Sequence, residues 1–250
     1  MPTSFIVIPA RLHSTRLARK LLLRETGKTV LQHTYESALR ASRPSGICVA
    51  TDHPEIVEEV ERFGGRAVLT DPEAASGTDR VAEIAASMSD VEVFVNVQGD
   101  EPEIRGEAID QVVALLEDNP EVGMSTLGTP IRDRTRLHDP ACVKVVFNDQ
   151  GRALYFSRSP IPHAREWNDR LLELQPAVFY QHLGLYAYRR DFLQRLAKLP
   201  PSRLEQLERL EQLRVLSAGF PIMVGVVDEP SQGIDTEADY RAFVSRYRNG

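Results

Sequence analysis

The chain has 250 residues, 42% hydrophobic and 26% charged, which suits a globular protein with a sizeable buried core. Its 30 basic and 36 acidic residues leave a net charge of -6, against the basic footprint a general nucleic-acid binder uses to neutralise phosphates. Only Cys48 and Cys142 are present, no apolar stretch approaches the ~20 residues that span a bilayer, and the run 5–10 is too short for a secretory leader; a soluble protein of a reducing, cytoplasmic compartment is expected.

Apolar runs and helical patterns then alternate. Phe5-Ile6-Val7-Ile8 reads as a buried strand, 30–41 as a helix, Ile47-Cys48-Val49-Ala50 as a strand and 54–63 as a helix. A short strand over 66–69, a helix over 78–88 and a strong strand over 91–97 follow. Short β-rich runs separated by helices indicate βαβ units and a mostly parallel sheet, which binds ligands at the carboxyl ends of its strands. Beyond residue 120 the pattern loosens: 122–130, 143–148, 153–156 and 183–188 read as mixed or antiparallel strands, and 160–176 as a mobile loop around Trp167. Leu204, Leu207, Leu210, Leu213 and Leu216 recur every third residue, predicting one long helix over 204–217 with a core-facing stripe. A strand over 222–227 and a helix over 237–247 complete the chain. The expectation is one domain with a β-rich lobe inserted around 120–190.

The first strand runs into a loop where Arg11, Arg16, Arg19 and Lys20 place four positive charges within ten residues, with Ser14 and Thr15 as hydroxyl donors. Such a loop suits a triphosphate, whose leaving pyrophosphate needs fixed donors and cations. A solvated basic loop is the plain alternative, and the position beyond a buried strand favours the site. Neither a Walker A motif nor a G-x-G-x-x-G fingerprint is present, which disfavours P-loop and dinucleotide chemistry. The strand over 91–97 ends at Gln98-Gly99-Asp100-Glu101-Pro102, so Asp100 sits at the ligand edge and Gly99 permits close backbone approach. Magnesium is held by one or two carboxylates plus phosphate oxygens. Asp100 meets that requirement, and Asp235 is a second candidate whose alternative role is the N-cap of the last helix.

The stretch Pro9-Ala10-Arg11-x-x-Ser14-Thr15-Arg16-Leu17-x-x-Lys20 resembles the signature loop of CMP-Kdo synthetases, the cytidylyltransferases that activate 3-deoxy-manno-octulosonate (Kdo). The likeness continues through Val49-Ala50-Thr51-Asp52, Ser76-Gly77-Thr78-Asp79-Arg80, Asn96-Val97-Gln98-Gly99-Asp100-Glu101-Pro102 and Val143-Lys144-Val145-Val146. The stretch 153–162, His182-Leu183-Gly184-Leu185-Tyr186, Leu210-Glu211-Gln212-Leu213-Arg214 and Gly233-Ile234-Asp235-Thr236 extend it over essentially the whole chain. It implies a Rossmann-like α/β nucleotidyltransferase sandwich, a homodimer formed through the inserted lobe, and Mg²⁺ on Asp100 and Asp235. It also implies nucleotide contacts from Ala10, Arg11, Ser14, Thr15, Arg16, Lys20, Thr78 and Arg80, with CTP as donor. Kdo would be held by Gln98, Arg158, His182, Tyr186, Glu211 and Gln212. Catalysis would fall to Arg11, Lys20, Asp100 and Asp235, by in-line attack of the sugar's anomeric hydroxyl on the α-phosphorus.

Three residues depart from that pattern. Where the family usually has Pro-Gly before the lysine, this chain has Ala18-Arg19, which removes freedom to adopt positive φ and adds bulk and charge. His13 stands where a small residue is usual. The Ala18-Arg19 change and the sugar-facing lobe leave another acidic sugar, a nonulosonate or an amino-substituted Kdo, as an alternative acceptor. A non-catalytic CTP sensor is the alternative of a different class, and retention of both carboxylates with Arg11 and Lys20 argues against it.

Overall fold

The structure, a computed structural model, describes residues 3–12, 16–74 and 76–249. The Phe-Ile-Val-Ile run forms the centre of β1 (Ser4–Ala10), which pairs in parallel with β2 (Ile47–Thr51) on one side and β4 (Val93–Asn96) on the other. β3 (Ala67–Leu69) extends β2, again in parallel. The connections are helical: α1 (Val30–Ala38), α2 (Pro54–Arg62) and α3 (Gly77–Ser87). Alternation along β1 divides the core. Ile6 and Ile8 face a cluster with Leu31 and Val112, while Phe5 and Val7 face Val81 and Ile84 on the opposite side.

α4 (Gly106–Asp118) leads to β5 (Met124–Pro130), and the long β8 (Tyr180–Arg189) runs antiparallel between β4 and β5. β9 (Ile222–Val226) closes the path, giving the order β3-β2-β1-β4-β8-β5-β9. A hairpin of β6 (Lys144–Phe147) and β7 (Ala153–Ser157) hangs on the start of β8 and completes a nine-stranded sheet among the described residues. All strands on the main path run one way except β8. Because β8 is reversed, its beginning lies at the edge where β1, β2 and β4 end, with Tyr186 level with Asn96. The Rossmann-like, mostly parallel α/β fold expected from the sequence is the one observed.

Several elements differ from the sequence expectation. The expectation from the sequence places no helix at α4, although Ile109, Val112, Val113 and Leu116 are spaced for one helical face and all are buried. Short helices α5 (Arg134–His138) and α6 (Arg190–Leu196) likewise lie outside it. The segment read as a mobile loop contributes Leu172 and Trp167 to a small separate core with Ile131, Leu137, Cys142 and Phe179. The long helix over 204–217 is two: α7 (Arg203–Glu208) and α8 (Gln212–Ser217), parted by Arg209 at φ 55°. The turn splits the leucine stripe, so Leu210 and Leu213 are buried while Leu207 is 80% exposed. The last helix, α9, spans Glu237–Asn249. No helix among the described residues is long and apolar enough to cross a membrane. Cys48 and Cys142 are both buried free thiols, and burial pushes the Cys48 thiol up to about 12.

One close approach has a measurable consequence. A Cβ added at Gly106 would lie 2.7 Å from the carbonyl carbon of Arg40 and 2.8 Å from the nitrogen of Ala41, both backbone atoms that cannot step aside. Gly106→Ala is expected to lower stability by about 2–3 kcal/mol and the thermal midpoint by roughly 5–10 °C. An unchanged melting curve would show that α4 does not start this tightly against the end of α1.

Candidate active site

A cavity of about 320 Å³ opens at the carboxyl edge of β1 and β4, lined by Arg11, Arg16, Lys20, Gln98, Asp100 and Asp235 together with Pro9 and Gly77. A larger one, about 690 Å³, lies at the far end of the sheet beside Phe192 and Phe220, and none of the expected site residues lines it. Chemistry rather than size picks out the smaller cavity. Ala10 is the buried last residue of β1, and the loop beyond it carries the cations. Lys20 Nζ donates to a carboxylate oxygen of Asp100, to Asp235 Oδ1 at 3.2 Å and to the carbonyl of Ile234 at 2.9 Å. Arg16 reaches the same Asp235 oxygen at 3.1 Å. Arg11 donates to the Ala74 carbonyl at 2.8 Å, tying its loop to the one before α3. Ser14 and Thr15, with His13, lie outside the described residues.

Asp235 does not cap α9. Thr236 and Asp239 form a reciprocal cap, Thr236 N–H donating to Asp239 at 2.8 Å and Asp239 N–H to Thr236 Oγ1 at 3.2 Å. The Asp235 carboxylate is thereby left to face Lys20 and Arg16. Gly99 is also explained differently than expected. A Cβ there would meet the Pro9 carbonyl oxygen at 3.2 Å, so the small residue lets two parts of the protein close on each other.

The motif opening α3 builds the adjoining wall. Ser76 and Asp79 form a capping box. Thr78 donates to Glu211 at 2.8 Å and Ser76 Oγ to the same carboxylate at 3.2 Å, bringing the start of α8 against α3. Burial holds the Glu211 carboxyl above its usual range. Arg80 is fully buried, which excludes the surface placement its residue type would suggest. Its guanidinium donates to Asp52 at 2.6 Å, Thr70 Oγ1 at 2.6 Å and the Asp71 carbonyl at 3.1 Å, pinning the loops after β2 and β3 together. Its Nε has no protein partner.

Four of the six residues expected around the sugar converge on the reversed strand and α8. Tyr186 OH lies 3.5 Å from Gln212 Oε1, and the Gln212 side-chain nitrogen is buried without a protein partner. The His182 ring packs on Tyr186 and Phe156. A shift in register between β5 and β8 turns Gly184 toward Gln98 and Glu101 and gathers Thr126 Oγ1, His182 Nε2 and the Leu185 carbonyl. Thr126 Oγ1 donates toward the carbonyls of Leu185 at 2.8 Å and Leu183 at 3.1 Å and lies 3.0 Å from His182 Nε2. Burial pushes the His182 imidazole down to about 3, and it stays neutral at physiological pH. Gln98 donates to Asn96 Oδ1 at 3.3 Å. Glu211 bridges to α3 as described. Arg158 stands differently: its guanidinium donates to the carbonyls of Glu208 at 2.8 Å and Pro140 at 2.9 Å, so it bridges β7 to the bend between α7 and α8.

Further residues support the site without having been singled out. Thr34 donates to the Gly99 carbonyl at 2.9 Å and Ser37 to that of Pro102 at 2.8 Å, so two buried hydroxyls on one face of α1 hold the loop bearing Asp100 from behind. Their signal was present as Thr and Ser three residues apart in an otherwise apolar helix face. Ser231 donates to Glu101 at 2.7 Å. Lys144, fully buried, donates to the carbonyls of Asp139, Cys142 and Arg158 at 2.9, 2.6 and 2.5 Å, and burial lowers its pKa.

A mostly parallel α/β sheet with a basic loop beyond its first strand, opposed by two carboxylates, defines the protein as a nucleotidyltransferase. Residues 5–224 match the model of a family described as cytidylyltransferase. The chain is 52% identical to the 3-deoxy-manno-octulosonate cytidylyltransferase of Rhodopirellula baltica, over 96% of this chain and 97% of that one. It is 45% identical to the 8-amino-3,8-dideoxy-manno-octulosonate cytidylyltransferase of Shewanella sediminis, over 96% and 97%. Among solved structures it superposes on CMP:2-keto-3-deoxy-manno-octonic acid synthetase complexed with CTP, with a TM-score of 0.91, 39% identity and 99% of both chains covered. The chain belongs to the cytidylyltransferase family, in its 3-deoxy-manno-octulosonate branch.

Proposed function

We propose that the protein transfers CMP from CTP to 3-deoxy-D-manno-octulosonate, releasing pyrophosphate, and so supplies an activated sugar for lipopolysaccharide biosynthesis in the cytoplasm. The observation that carries the reading is the meeting of Asp100, Asp235 and Lys20 at the edge where the basic loop begins. Two carboxylates reaching one ammonium nitrogen already face a common point of positive charge, and their hard oxygens suit Mg²⁺. Among the described residues no cluster of three or more His, Cys, Asp or Glu gathers, so the protein would offer the ion two ligands and leave the rest to phosphates and water. When bound there, Mg²⁺ neutralises triphosphate charge and lowers the pKa of the attacking hydroxyl.

The chain's own residues do the remaining work. Arg11, Arg16 and Lys20, joined by Ser14 and Thr15, grip the triphosphate and stabilise the departing pyrophosphate. Ala10 and the Thr78–Arg80 end of α3 shape the cytosine pocket. Gln98, Tyr186, Glu211 and Gln212 receive sugar hydroxyls beside the neutral His182 ring, with Arg158 serving the sugar carboxylate. That last role requires Arg158 to leave one of its carbonyl partners. The lobe carrying β6 and β7 completes the sugar side and provides a homodimer contact. In support, among the described residues β7 pairs only with β6 and turns Leu154 to solvent.

The test is pyrophosphate release with CTP and Mg²⁺, comparing Kdo, its 8-amino-8-deoxy analogue and a panel of other acidic sugars. Release dependent on Kdo and abolished by EDTA is expected. Release with the amino sugar alone would keep the mechanism and move the acceptor. CTP binding with no release for any acceptor would replace the enzyme by a sensor.

A further inference from the structure

Arg19 holds φ 52°, ψ 31°, in the left-handed region that any residue with a Cβ disfavours. The conformation has a structural purpose. It turns the chain out of the basic loop into a short 3-10 turn at Lys20–Leu22, closed by Leu22 N–H donating to the Arg19 carbonyl at 2.9 Å and anchored by buried Leu21. From this turn Lys20 extends toward Asp100 and Asp235, while the Arg19 side chain leaves toward α2 and lines a different cavity with Glu55, Glu59 and Arg62. There its guanidinium pairs with the Glu55 carboxylate. Glu59, the neighbouring acid, is already taken by Arg24 at 2.6 Å and by Arg62, so Glu55 is the carboxylate that serves Arg19. Glu55 stands in the first turn of α2 behind Pro54, with its side chain 39% exposed.

We propose that Glu55 is a positioning residue for the phosphate loop: by holding the Arg19 guanidinium it stabilises the left-handed backbone that delivers Lys20 to Asp100 and Asp235. A glycine at position 19 would adopt this backbone without penalty, whereas arginine carries the left-handed cost, which the partly exposed ion pair to α2 offsets. The inference rests on reading this loop as the CTP site, and it assigns Arg19 no phosphate of its own.

The experiment is a double-mutant cycle on the full chain with Glu55→Gln, Arg19→Gly and the pair together, reading kcat/KM for CTP, CTP binding by calorimetry and thermal midpoints. Glu55→Gln is expected to lower kcat/KM and weaken CTP binding about fivefold, the size of coupling usual for contacting residues. Arg19→Gly should stay within about twofold of wild type, and the double variant should match Arg19→Gly, because glycine carries no left-handed cost for the ion pair to offset. The proposal is overturned if Glu55→Gln leaves CTP binding unchanged. It is equally overturned if the loss is the same in both backgrounds, which would place the effect in α2, or if Arg19→Gly alone abolishes CTP binding, which would make Arg19 a phosphate ligand. Should wild type bind no CTP, the proposed function falls, while the coupling is still decided by whether Arg19→Gly restores the midpoint that Glu55→Gln lowers.

Discussion

Asp100→Asn is expected to lower kcat for pyrophosphate release by about a thousandfold, close to the effect of deleting a principal charge-stabilising group in other active sites. Asp100 meets Lys20 directly, and its loop is held by Thr34 and Ser37 from the buried side of α1. The amide keeps the shape but removes the charge, so both the ion site and the anchor of Lys20 are weakened together. Asp235, half-exposed and shared between Lys20 and Arg16, should show a smaller loss as Asp235→Asn. The effects of the two substitutions should not add, since both act through one constellation. Steady-state kinetics across a magnesium titration checks this. If Asp100→Asn keeps more than about a tenth of the activity, Asp100 cannot be a principal charge-stabilising group of the reaction.

Arg80→Met should destabilise the fold by about 3 kcal/mol, because it leaves Asp52, Thr70 Oγ1 and the Asp71 carbonyl without their common donor. That corresponds to a drop of roughly 6–12 °C in midpoint for a chain of this size. Asp52 keeps some contact with water, its side chain being 26% exposed, which keeps the expected loss from being larger. Arg80→Lys should recover little, since one ammonium cannot reproduce the fork that reaches all three acceptors. CTP affinity should fall as well, because the loop pinned by Arg80 presents the Ala74 carbonyl that holds Arg11. Arg11→Ala gives the contrast: weaker CTP binding with little change in midpoint. A loss of CTP binding in Arg80→Met without loss of stability would show instead that Arg80 touches the nucleotide directly.

Much of this arrangement was legible in the residues. The apolar runs of β1, β2 and β4 and the cap of α3 are local features, dictated by side-chain pattern and backbone chemistry over a few positions. The order of the motifs carried the family, and the charge of the loop after β1 located the phosphate side. The loss of glycine at position 19 was visible too, as a conflict between residue type and the turn required. The sequence could not say how that conflict is met, because Glu55 lies 36 residues away on another helix.

What the residues determined by themselves was therefore the run of parallel βαβ units, the carboxylates beyond β4, and the residue types that a nucleotide site needs. The residues placed 183–188 among mixed or antiparallel strands, and the tertiary structure decided that on the main path of the sheet β8 alone is reversed and so brings His182 and Tyr186 to the same edge as Asp100. It also decided that the leucine-striped segment bends at Arg209, where neither glycine nor proline marks a break, and Glu208 can then turn back to Ser157 Oγ at 2.6 Å. Arg80 and Lys144 were charged residues by type and became buried braces by place. The physical reason is common to all of these. Strand direction, helix breaks and buried charges are set by partners distant in sequence, and a buried charge is tolerated where those partners converge on it, as three carbonyls do on Lys144 and three acceptors do on the Arg80 guanidinium, whose Nε alone is left over.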